Sequence, residues 1–477
     1  MKVSKAYVAS ATRLSPEHFA LFLLTLAAII LVGCSGSHSI VPAGGSQLSA
    51  TPLQISVGDD PCDRVASLVL DFTAVDLKND KGAFSALKGP SSVEFMHLLG
   101  ALQSISLVDA PKGNYSSADL TIASAAISYL DPLTGQMAQQ KLTGPWTASV
   151  VFSPAMTIDS SSVALNLHLA VGDSVSFDSN GNISFSPKFT PDIFQAGSVG
   201  HHGAQYGGID RVMGRVSSVS GNSFQLAMMQ SAQLVTIQTG SSTTFERISG
   251  MNGLQAGMVV RVAANMQSDG TLLATNVSAA GRGSKGMAAS GLVTSASGSP
   301  ITQLTIVEQD VSGSGASQDD LGATLIANLD SRASFSMNSS GVDLVGLPFT
   351  PEFSSNSVFS GQAVEIVSDS GMMHDTSSST HQGSASVSEV HLEQQGIRGT
   401  VSSHSANGNE ATFTLNVASE SFFAHLTGAT SLMVFQRPDT EIWGPGTISD
   451  GASVVVHGLL FGGSDNYKLV ASRIVAH

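Results

Sequence analysis

Histidine side chains stand at two places in the sequence where they could bind a metal ion. His201 and His202 are adjacent, and His374 and His381 lie in a Ser-rich stretch that also contains two methionines. Imidazole and thioether groups are ligands that suit copper. Adjacent histidines in a polar stretch do not impose the geometry of a built metal site. We therefore favour mobile polar surface loops over metal binding at both places.

The two tryptophans could stack on a sugar ring. Trp146 follows Gly144-Pro145, and Trp443 precedes Gly444-Pro445. Gly and Pro beside each ring predict turns rather than strand interiors. An exposed ring on a turn offers an apolar face to a sugar, whereas a buried ring would plug the end of a barrel. We favour the buried alternative and keep both residues as candidates for ligand stacking.

No motif of a known catalytic site accompanies these residues. The sequence lacks a Gly-x-Ser-x-Gly elbow, a Gly-rich phosphate loop ending in Lys-Ser/Thr, and a His-Glu-x-x-His pair. Ser and His are numerous enough that chance pairs are expected. We therefore predict no catalytic residue, no cofactor and no enzymatic activity, with a hydrolase as the alternative.

The most informative residue is Cys34, which directly follows a short apolar run. Lys2, Lys5 and Arg13 precede thirteen uncharged residues, 20–32, and small Gly33 comes just before the cysteine. Thirteen helical residues, at about 1.5 Å each, are too short for a hydrocarbon core of about 30 Å. The length and the flanks fit an export signal.

The segment Leu31-Val-Gly-Cys34 resembles the lipobox of bacterial lipoprotein signal peptides. This resemblance implies that Cys34 is diacylated on sulfur and becomes the mature N-terminus. The alternative is an ordinary signal peptide that happens to contain a cysteine. Ser35 is not the Asp that commonly retains lipoproteins at the inner membrane, so the resemblance implies the outer membrane if the host is diderm.

Composition indicates an exported, all-β protein. Charged residues are 12% of the chain and hydrophobic residues 42%, and the net charge is −15. Low charge with Val, Thr and Ser in short alternating runs is typical of β structure rather than of disorder. With Cys34 acylated, Cys62 would be the single thiol left, and its acidic neighbours indicate a structural rather than a reactive role.

The order of these patterns predicts seven segments, the first of which precedes a mature chain of 444 residues. They are the signal peptide at 1–33, a flexible tether at 34–54, a β-sandwich at 55–192, a linker at 193–212, and three small barrels at 213–279, 289–394 and 396–477. Alternation predicts sandwich strands around 68–72, 118–122 and 163–169, and one short helix near 93–102. Asp178-Ser-Asn-Gly-Asn182 predicts a hairpin turn, because a calcium loop would need later acidic ligands.

The three C-terminal segments share a sequence pattern. Each opens with a Gly (Gly214, Gly291 and Gly399), which is followed by alternating apolar and polar residues. Each continues with a second Gly before another strand, 43, 70 and 52 residues later. About five short strands per unit predict a partly open Greek-key barrel of the oligonucleotide/oligosaccharide-binding type. Units of this kind in series would form a rod held away from the membrane.

The barrel pattern is similar to bacterial domain of unknown function 5666, in three copies. The first copy matches best, down to Ser268-Asp-Gly-Thr-Leu-Leu-Ala-Thr-Asn-Val, and insertions interrupt the second. The first domain, with Gly113-Asn-Tyr-Ser-Ser-Ala-Asp-Leu, is similar to domain of unknown function 4382, which is common in bacterial lipoproteins. Neither resemblance implies a catalytic residue.

Charge distribution limits the partners. The second barrel contains 12 acidic residues and one basic residue, and no unit has the basic face that phosphate neutralisation requires. We therefore predict no nucleic-acid binding. The acidic barrel could attract divalent cations or a basic partner, although a solvated face is the simpler interpretation. The sequence predicts a lipid-anchored, non-catalytic binding or scaffolding protein, with a polysaccharide or an envelope protein as partner and carbohydrate binding as the alternative function.

Overall fold

The computed structural model describes residues 50–477 with several gaps. The gaps are 61–63, 99–101, 199–206, 230, 232, 280–285, 314–316, 318–319, 340, 375–381, 409, 444–445, 464–465 and 477, and the side chains of residues 50, 59, 60, 210, 211 and 374 are also outside the description. The described part is almost entirely β structure, which confirms the predicted all-β class.

The first domain is a two-layer β-sandwich. Its elements are β1 (Ala50–Asp60), β2 (Val65–Asn79), β3 (Gly82–Ser85), β4 (Ser91–Glu94), β5 (Gln103–Pro111), β6 (Gly113–Leu130), β7 (Met137–Ile158), β8 (Val163–Ala170), α1 (Val171–Ser174), β9 (Val175–Phe177), β10 (Ile183–Phe185) and β11 (Phe189–Gln195). One layer has the order β11-β8-β1-β5, and the other has β3-β2-β6-β7 with β4 on β2.

Alternation along the strands builds the core between the two layers. Leu68, Leu70 and Phe72 of β2 are fully buried, as are Leu120 and Ile122 of β6. Since successive side chains of a strand point to opposite faces, this spacing of two places every second residue in the core. The predicted hairpin is also confirmed, because β9 and β10 pair antiparallel around the Asn180-Gly181 turn.

The remaining strands form three barrels. They are β12 (Gly208–Ser220), β13 (Ser223–Met228), β14 (Leu234–Gln238), β15 (Thr244–Glu246), β16 (Val259–Met266) and β17 (Leu272–Ala279); β18 (Met287–Gly298), β19 (Ile301–Gly313), β20 (Thr324–Met337), β21 (Ala363–Ser368), β22 (Met373–His374) and β23 (Gly383–Leu392); and β24 (Gln395–Asn407), β25 (Glu410–Asn416), β26 (Ser431–Trp443), β27 (Ser453–Phe461) and β28 (Lys468–Ala476), with α2 (Phe422–Thr427) between β25 and β26.

All three barrels have the same strand order. In each, the first strand pairs antiparallel with the second and with the fourth of the five main strands. The third and fifth main strands pair in parallel and close the barrel, as β14–β17, β20–β23 and β26–β28. The strands β15 and β22 are short additions to the first two barrels.

Glycines hold equivalent positions in the three barrels. A Cβ atom on Gly214, Gly291 or Gly399 would lie closer than 3.0 Å to atoms of the neighbouring strand. The first two strands of each barrel therefore approach closely at these glycines. Substitution by any larger residue would force the first two strands of that barrel apart.

A second set of glycines stands two residues before the fourth main strand of each barrel. Gly257, Gly361 and Gly451 have φ values of +91°, +98° and +88°, a region that L-residues rarely adopt. Each donates its backbone N–H to a valine of the first strand at 2.7–2.8 Å. The same turn thus closes the same two strands three times.

The barrels pack against the sandwich, and the expectation of a rod is wrong. The Gln233 side chain of the first barrel pairs with the backbone of Leu107 on the sandwich edge strand β5. The Ser128 hydroxyl of the sandwich donates to Gly322 of the second barrel at 2.7 Å. Phe422 of the third barrel packs with Ala66 of the sandwich. Every barrel therefore has its own contact with the first domain.

The insertion in the second barrel joins it to the third. Residues 338–362 lie between β20 and β21, which explains the long spacing between the two glycines of this unit. Phe349 of the insertion packs on Phe435 and Phe461 of the third barrel, with ring centroids 5.4 and 5.8 Å apart. The insertion is an interdomain contact rather than a free loop.

Other details differ from the sequence predictions. The helix predicted at 93–102 is wrong in its described part, because Val93 belongs to β4 and Phe95 donates its N–H to Leu68 at 2.9 Å. Pairing with β2 buries both side chains, and this burial outweighs local helix propensity. Strands also cross the predicted boundaries: β1 starts inside the tether, and β11 and β12 enter the predicted linker.

Candidate functional site

Several predicted site residues lie outside the described residues. These are Cys34 with its apolar run, Cys62, His201, His202 and His381. The backbone of His374 lies in the two-residue strand β22, opposite Gly383. Lipidation at Cys34 and metal binding by these histidines therefore stay predictions.

Trp146 is not on a turn, so that prediction is wrong. It lies within β7, opposite Ile122, and it packs against the sandwich core. Its ring meets Phe185 edge to face, with centroids 5.2 Å apart. The adjacent Pro145 is tolerated because it belongs to an outer strand of its sheet, where a missing donor leaves no ladder bond unmade.

Trp443 ends strand β26 and is 38% exposed. The Arg473 guanidinium lies over its ring, 4.3 Å from the centroid. A cation over the face of a Trp is attracted by the ring quadrupole and fixes its orientation. Trp443 therefore offers partly exposed aromatic surface in a fixed position, whereas Trp146 is largely covered.

The structure brings together charged residues that sequence patterns had not associated. Arg261 of the first barrel reaches into the second and donates to Glu365 at 2.6 Å and to Asp310 at 2.7 Å. Arg247, also from the first barrel, donates to the other oxygen of Glu365 at 2.8 Å. Two guanidiniums and two carboxylates thus join the two barrels.

Because this network is buried, its charged groups strongly shift the pKa values of their partners. Burial alone would raise the pKa of Glu365, but Arg261 and Arg247 lower it to about 2. Burial alone would lower the pKa of Arg261, and its two carboxylate partners raise it above the ordinary value. Both groups stay charged across the physiological range, and removing either takes a buried counter-charge from its partners.

A polar cleft of about 760 Å³ opens beside this network. Its first-barrel wall includes Glu246 and Asn276, and its second-barrel wall includes Asn338, His391 and Glu393. Asn276 donates to Glu246 at 2.8 Å, and Asn338 donates to Glu393 at 2.8 Å. Hydrogen bonds therefore hold polar side chains in place on both walls of the cleft.

A serine, a histidine and a carboxylate meet beside the cleft, and His391 is the one of the three that lines it. Ser336 of β20 and His391 of β23 are directly opposite, with Oγ and Nδ1 2.5 Å apart. The other ring nitrogen, Nε2, lies 3.3 Å from Glu389 and 3.4 Å from Arg247. Local sequence patterns do not indicate this group, because Ser336 and His391 lie on strands that are far apart in the sequence.

Repeat position could have indicated the charged network. Arg261 stands four residues after Gly257, and Glu365 stands four residues after Gly361. Each therefore lies on the same outward face of its barrel, with opposite charge. Opposite charges at equivalent positions of two repeats therefore indicate an ion pair between them.

No cluster of three His, Cys, Asp or Glu side chains suited to a metal ion occurs among the described residues. In the same part of the chain, no helix has the length and apolar character that a membrane crossing requires.

The fold defines an all-β protein in which a sandwich precedes three five-stranded barrels. Residues 213–278, which form most of the first barrel, match a family described as a domain of unknown function (DUF5666). This match comprises one copy and does not extend to the later barrels or to the sandwich. No curated protein matches the chain.

Proposed function

We propose that this protein is a lipid-anchored, non-catalytic binding platform of the cell envelope. The observation that carries the binding role is the polar cleft between the first two barrels, whose walls are held by the Arg261–Glu365 ion pair. A preorganised cleft loses less entropy on binding than a flexible one. Its Asn, Glu, Arg and His side chains suit a polar partner, either a polysaccharide or an envelope protein.

The shared architecture supports three copies of one domain. The later barrels have the strand order of the matched barrel, and Gly291 and Gly399 repeat the close backbone approach of Gly214. We propose that they are divergent copies of DUF5666, lengthened by insertions. We likewise propose that the sandwich is related to domain of unknown function 4382.

The anchor rests on the sequence around Cys34. The short apolar run, the basic flank and Gly33 before the cysteine support acylation of that thiol. A membrane partner would then be reached through lipid alone, and Ser35 supports the outer membrane in a diderm host.

Fractionation of wild type and Cys34→Ser in the native host tests the anchor. Wild type should sediment with membranes and be released by detergent, while the variant should be soluble or retain its uncleaved signal. Ser37, which the anchor does not require, gives the control Ser37→Ala, which should fractionate as wild type. Wild type found soluble would refute the anchor.

Hydrolysis is a second candidate function, favoured by the Ser336–His391–Glu389 group. Nδ1 of His391 is placed to take the Ser336 proton, and Glu389 is placed to orient the ring. Arg247 competes for the same ring nitrogen, and Ser336 lies in a strand rather than on a nucleophile elbow. Labelling by a fluorophosphonate probe that is lost in Ser336→Ala would favour the hydrolase; an unlabelled wild type would exclude this serine as an activated nucleophile.

Carbohydrate binding through Trp443 is the other alternative, and its support is the partly exposed ring held by Arg473. A sugar ring could pack on the aromatic surface that the guanidinium leaves open.

A further inference from the structure

A second, smaller cavity lies where the sandwich and all three barrels meet. Its volume is about 110 Å³. Most of its wall surface is apolar, with Asp310 and Glu393 among the polar residues that also line it. The apolar residues include Val65 and Ala66 of the sandwich, Leu292 and Val364 of the second barrel, and Phe422 and Leu426 of the third. An apolar cavity of about 150 Å³ can hold a benzene ring, so this one suits a short alkyl chain.

One arginine on the cavity wall has no polar partner in the described part of the chain. Arg398 of β24 is exposed, and its guanidinium makes no hydrogen bond or ion pair within the described residues. Arg261, on the same wall, is bound to Asp310 and Glu365. Of these two arginines, Arg398 is therefore the one left to bind an anion.

The fold does not require a cation at this position. Arg398 immediately precedes Gly399, just as Met213 precedes Gly214 and Ser290 precedes Gly291. The other two barrels pair their first and fourth main strands with an uncharged residue at this position. Two first strands border the cavity, β18 and β24, and β24 is the one that has an arginine at this position.

We propose that this four-domain junction binds a small amphiphilic carboxylate, its alkyl chain of about four to six carbons between Leu292 and Phe422 and its carboxylate on Arg398. The cavity volume limits the chain, and the guanidinium fork selects a planar anion. The inference rests on the proposed binding role but not on the lipid anchor. Binding at the junction would hold all four domains together.

An NMR titration of the full-length mature protein in detergent tests this site with defined probes. The probes are acetate, butyrate and hexanoate, each labelled with ¹³C at the carboxyl carbon, with hexan-1-ol as the uncharged analogue. Affinity should increase from acetate to hexanoate, and hexan-1-ol should bind roughly tenfold more weakly than hexanoate, as expected for loss of one charged hydrogen bond. Equal affinity of hexanoate and hexan-1-ol, or no hexanoate binding, would overturn the proposal.

Two variants and a matched control locate the site. Arg398→Gln should weaken hexanoate binding roughly tenfold. Ala363→Leu fills the cavity and should abolish binding. Arg332→Gln removes another exposed arginine, which is not among the cavity-lining residues, and should leave binding unchanged. Equal loss in the Arg398 and Arg332 variants would assign the effect to net charge and refute the site.

The outcome is separable from that of the platform proposal. Loss of hexanoate binding in a protein that still fractionates with membranes would refute this site alone. Since the probe series on wild type needs no substitution, a variant that fails to fold leaves the test intact.

Discussion

Arg261 and Glu365 occupy equivalent positions in the first two barrels, and their side chains meet at 2.6 Å. Each stands four residues after the left-handed glycine that precedes its strand, Gly257 or Gly361. The third barrel has Val455 at this place. The two barrels therefore associate through the same face, with opposite charges that make the contact specific.

Removing one member of this pair should destabilise the protein strongly. We expect Glu365→Gln to lower the free energy of unfolding by about 3–5 kcal/mol, because Arg261 and Arg247 would lose the buried carboxylate that they share. Urea denaturation measures the change. The double variant Arg261→Met, Glu365→Met should be less destabilised than the two single variants combined, and strict additivity would contradict a direct coupling.

The opening glycines should tolerate no side chain. We expect Gly291→Ala to lower the free energy of unfolding by more than about 2 kcal/mol, as overpacked core substitutions do. The reason is that the new Cβ would overlap the Val307 carbonyl oxygen. Thermal melts of Gly214→Ala and Gly399→Ala should show losses of similar size. Gly89→Ala, where a Cβ meets nothing within 4 Å, is the matched control. Melting temperatures equal to that of the control would contradict the close approach.

Glu308 should make the protein less stable as pH rises above the ordinary pKa of a glutamate. It is fully buried, neither carboxyl oxygen has a partner among the described residues, and burial followed by the charge of Asp320 raises its pKa well above the ordinary value. Its folded-state pKa exceeds its unfolded-state pKa, so stability falls as pH rises through the folded-state pKa.

Glu308→Gln removes this ionisation and should be more stable than wild type at pH 8, by about 1–3 kcal/mol. Denaturation curves from pH 4 to pH 9 measure the difference, with exposed Glu352→Gln as the control. A wild-type stability that does not fall relative to Glu308→Gln as pH rises would contradict the assignment.

His457 should produce the opposite dependence on the acid side. Burial, followed by the nearby charge of Arg473, lowers its pKa to about 3. Since the unfolded state takes up the proton first, stability is lost as pH falls from about 6.5 toward 3, by on the order of 4 kcal/mol. His457→Asn should flatten this loss in acid titrations followed by circular dichroism, whereas His404→Asn should not. An unchanged acid midpoint in His457→Asn would exclude His457 as the cause.

Trp443 tests the carbohydrate alternative. If its ring binds sugar, Trp443→Ala should weaken the binding signals on a glycan array at least tenfold. A tenfold change in affinity corresponds to about 1.4 kcal/mol of binding free energy. Leu133→Ala, which removes a large exposed apolar residue of the sandwich, is the control. A wild-type array without signals would count against this function.

Local sequence patterns predicted strands and the glycine-containing hairpin turn. Alternation at Leu68, Leu70 and Phe72 correctly placed a half-buried strand, and Asn180-Gly181 correctly marked a hairpin. These features depend on side-chain period and backbone φ, both of which are local. The N-cap Ser421 and the C-cap Gly428 of α2 were equally readable, but we did not predict that helix.

Contacts between domains could not be predicted in the same way. Nothing near Phe349 in sequence indicates that it packs on Phe461, and nothing near Ser336 indicates that it faces His391. Such pairs depend on how whole sheets dock, which local propensity does not encode. The helix predicted at 93–102 failed for the same reason, because β2 recruited Val93 and Phe95 into the sheet and core.

Mass spectrometry tests the central claim of a lipid-anchored platform most directly. The intact mass and the N-terminal peptide are measured on mature protein purified from the membranes of its native host. We predict a chain that begins at Cys34, lacks residues 1–33, and carries a diacylglyceryl group on the sulfur. A mature chain that begins elsewhere, or that retains Cys34 as an unmodified thiol, would contradict the account.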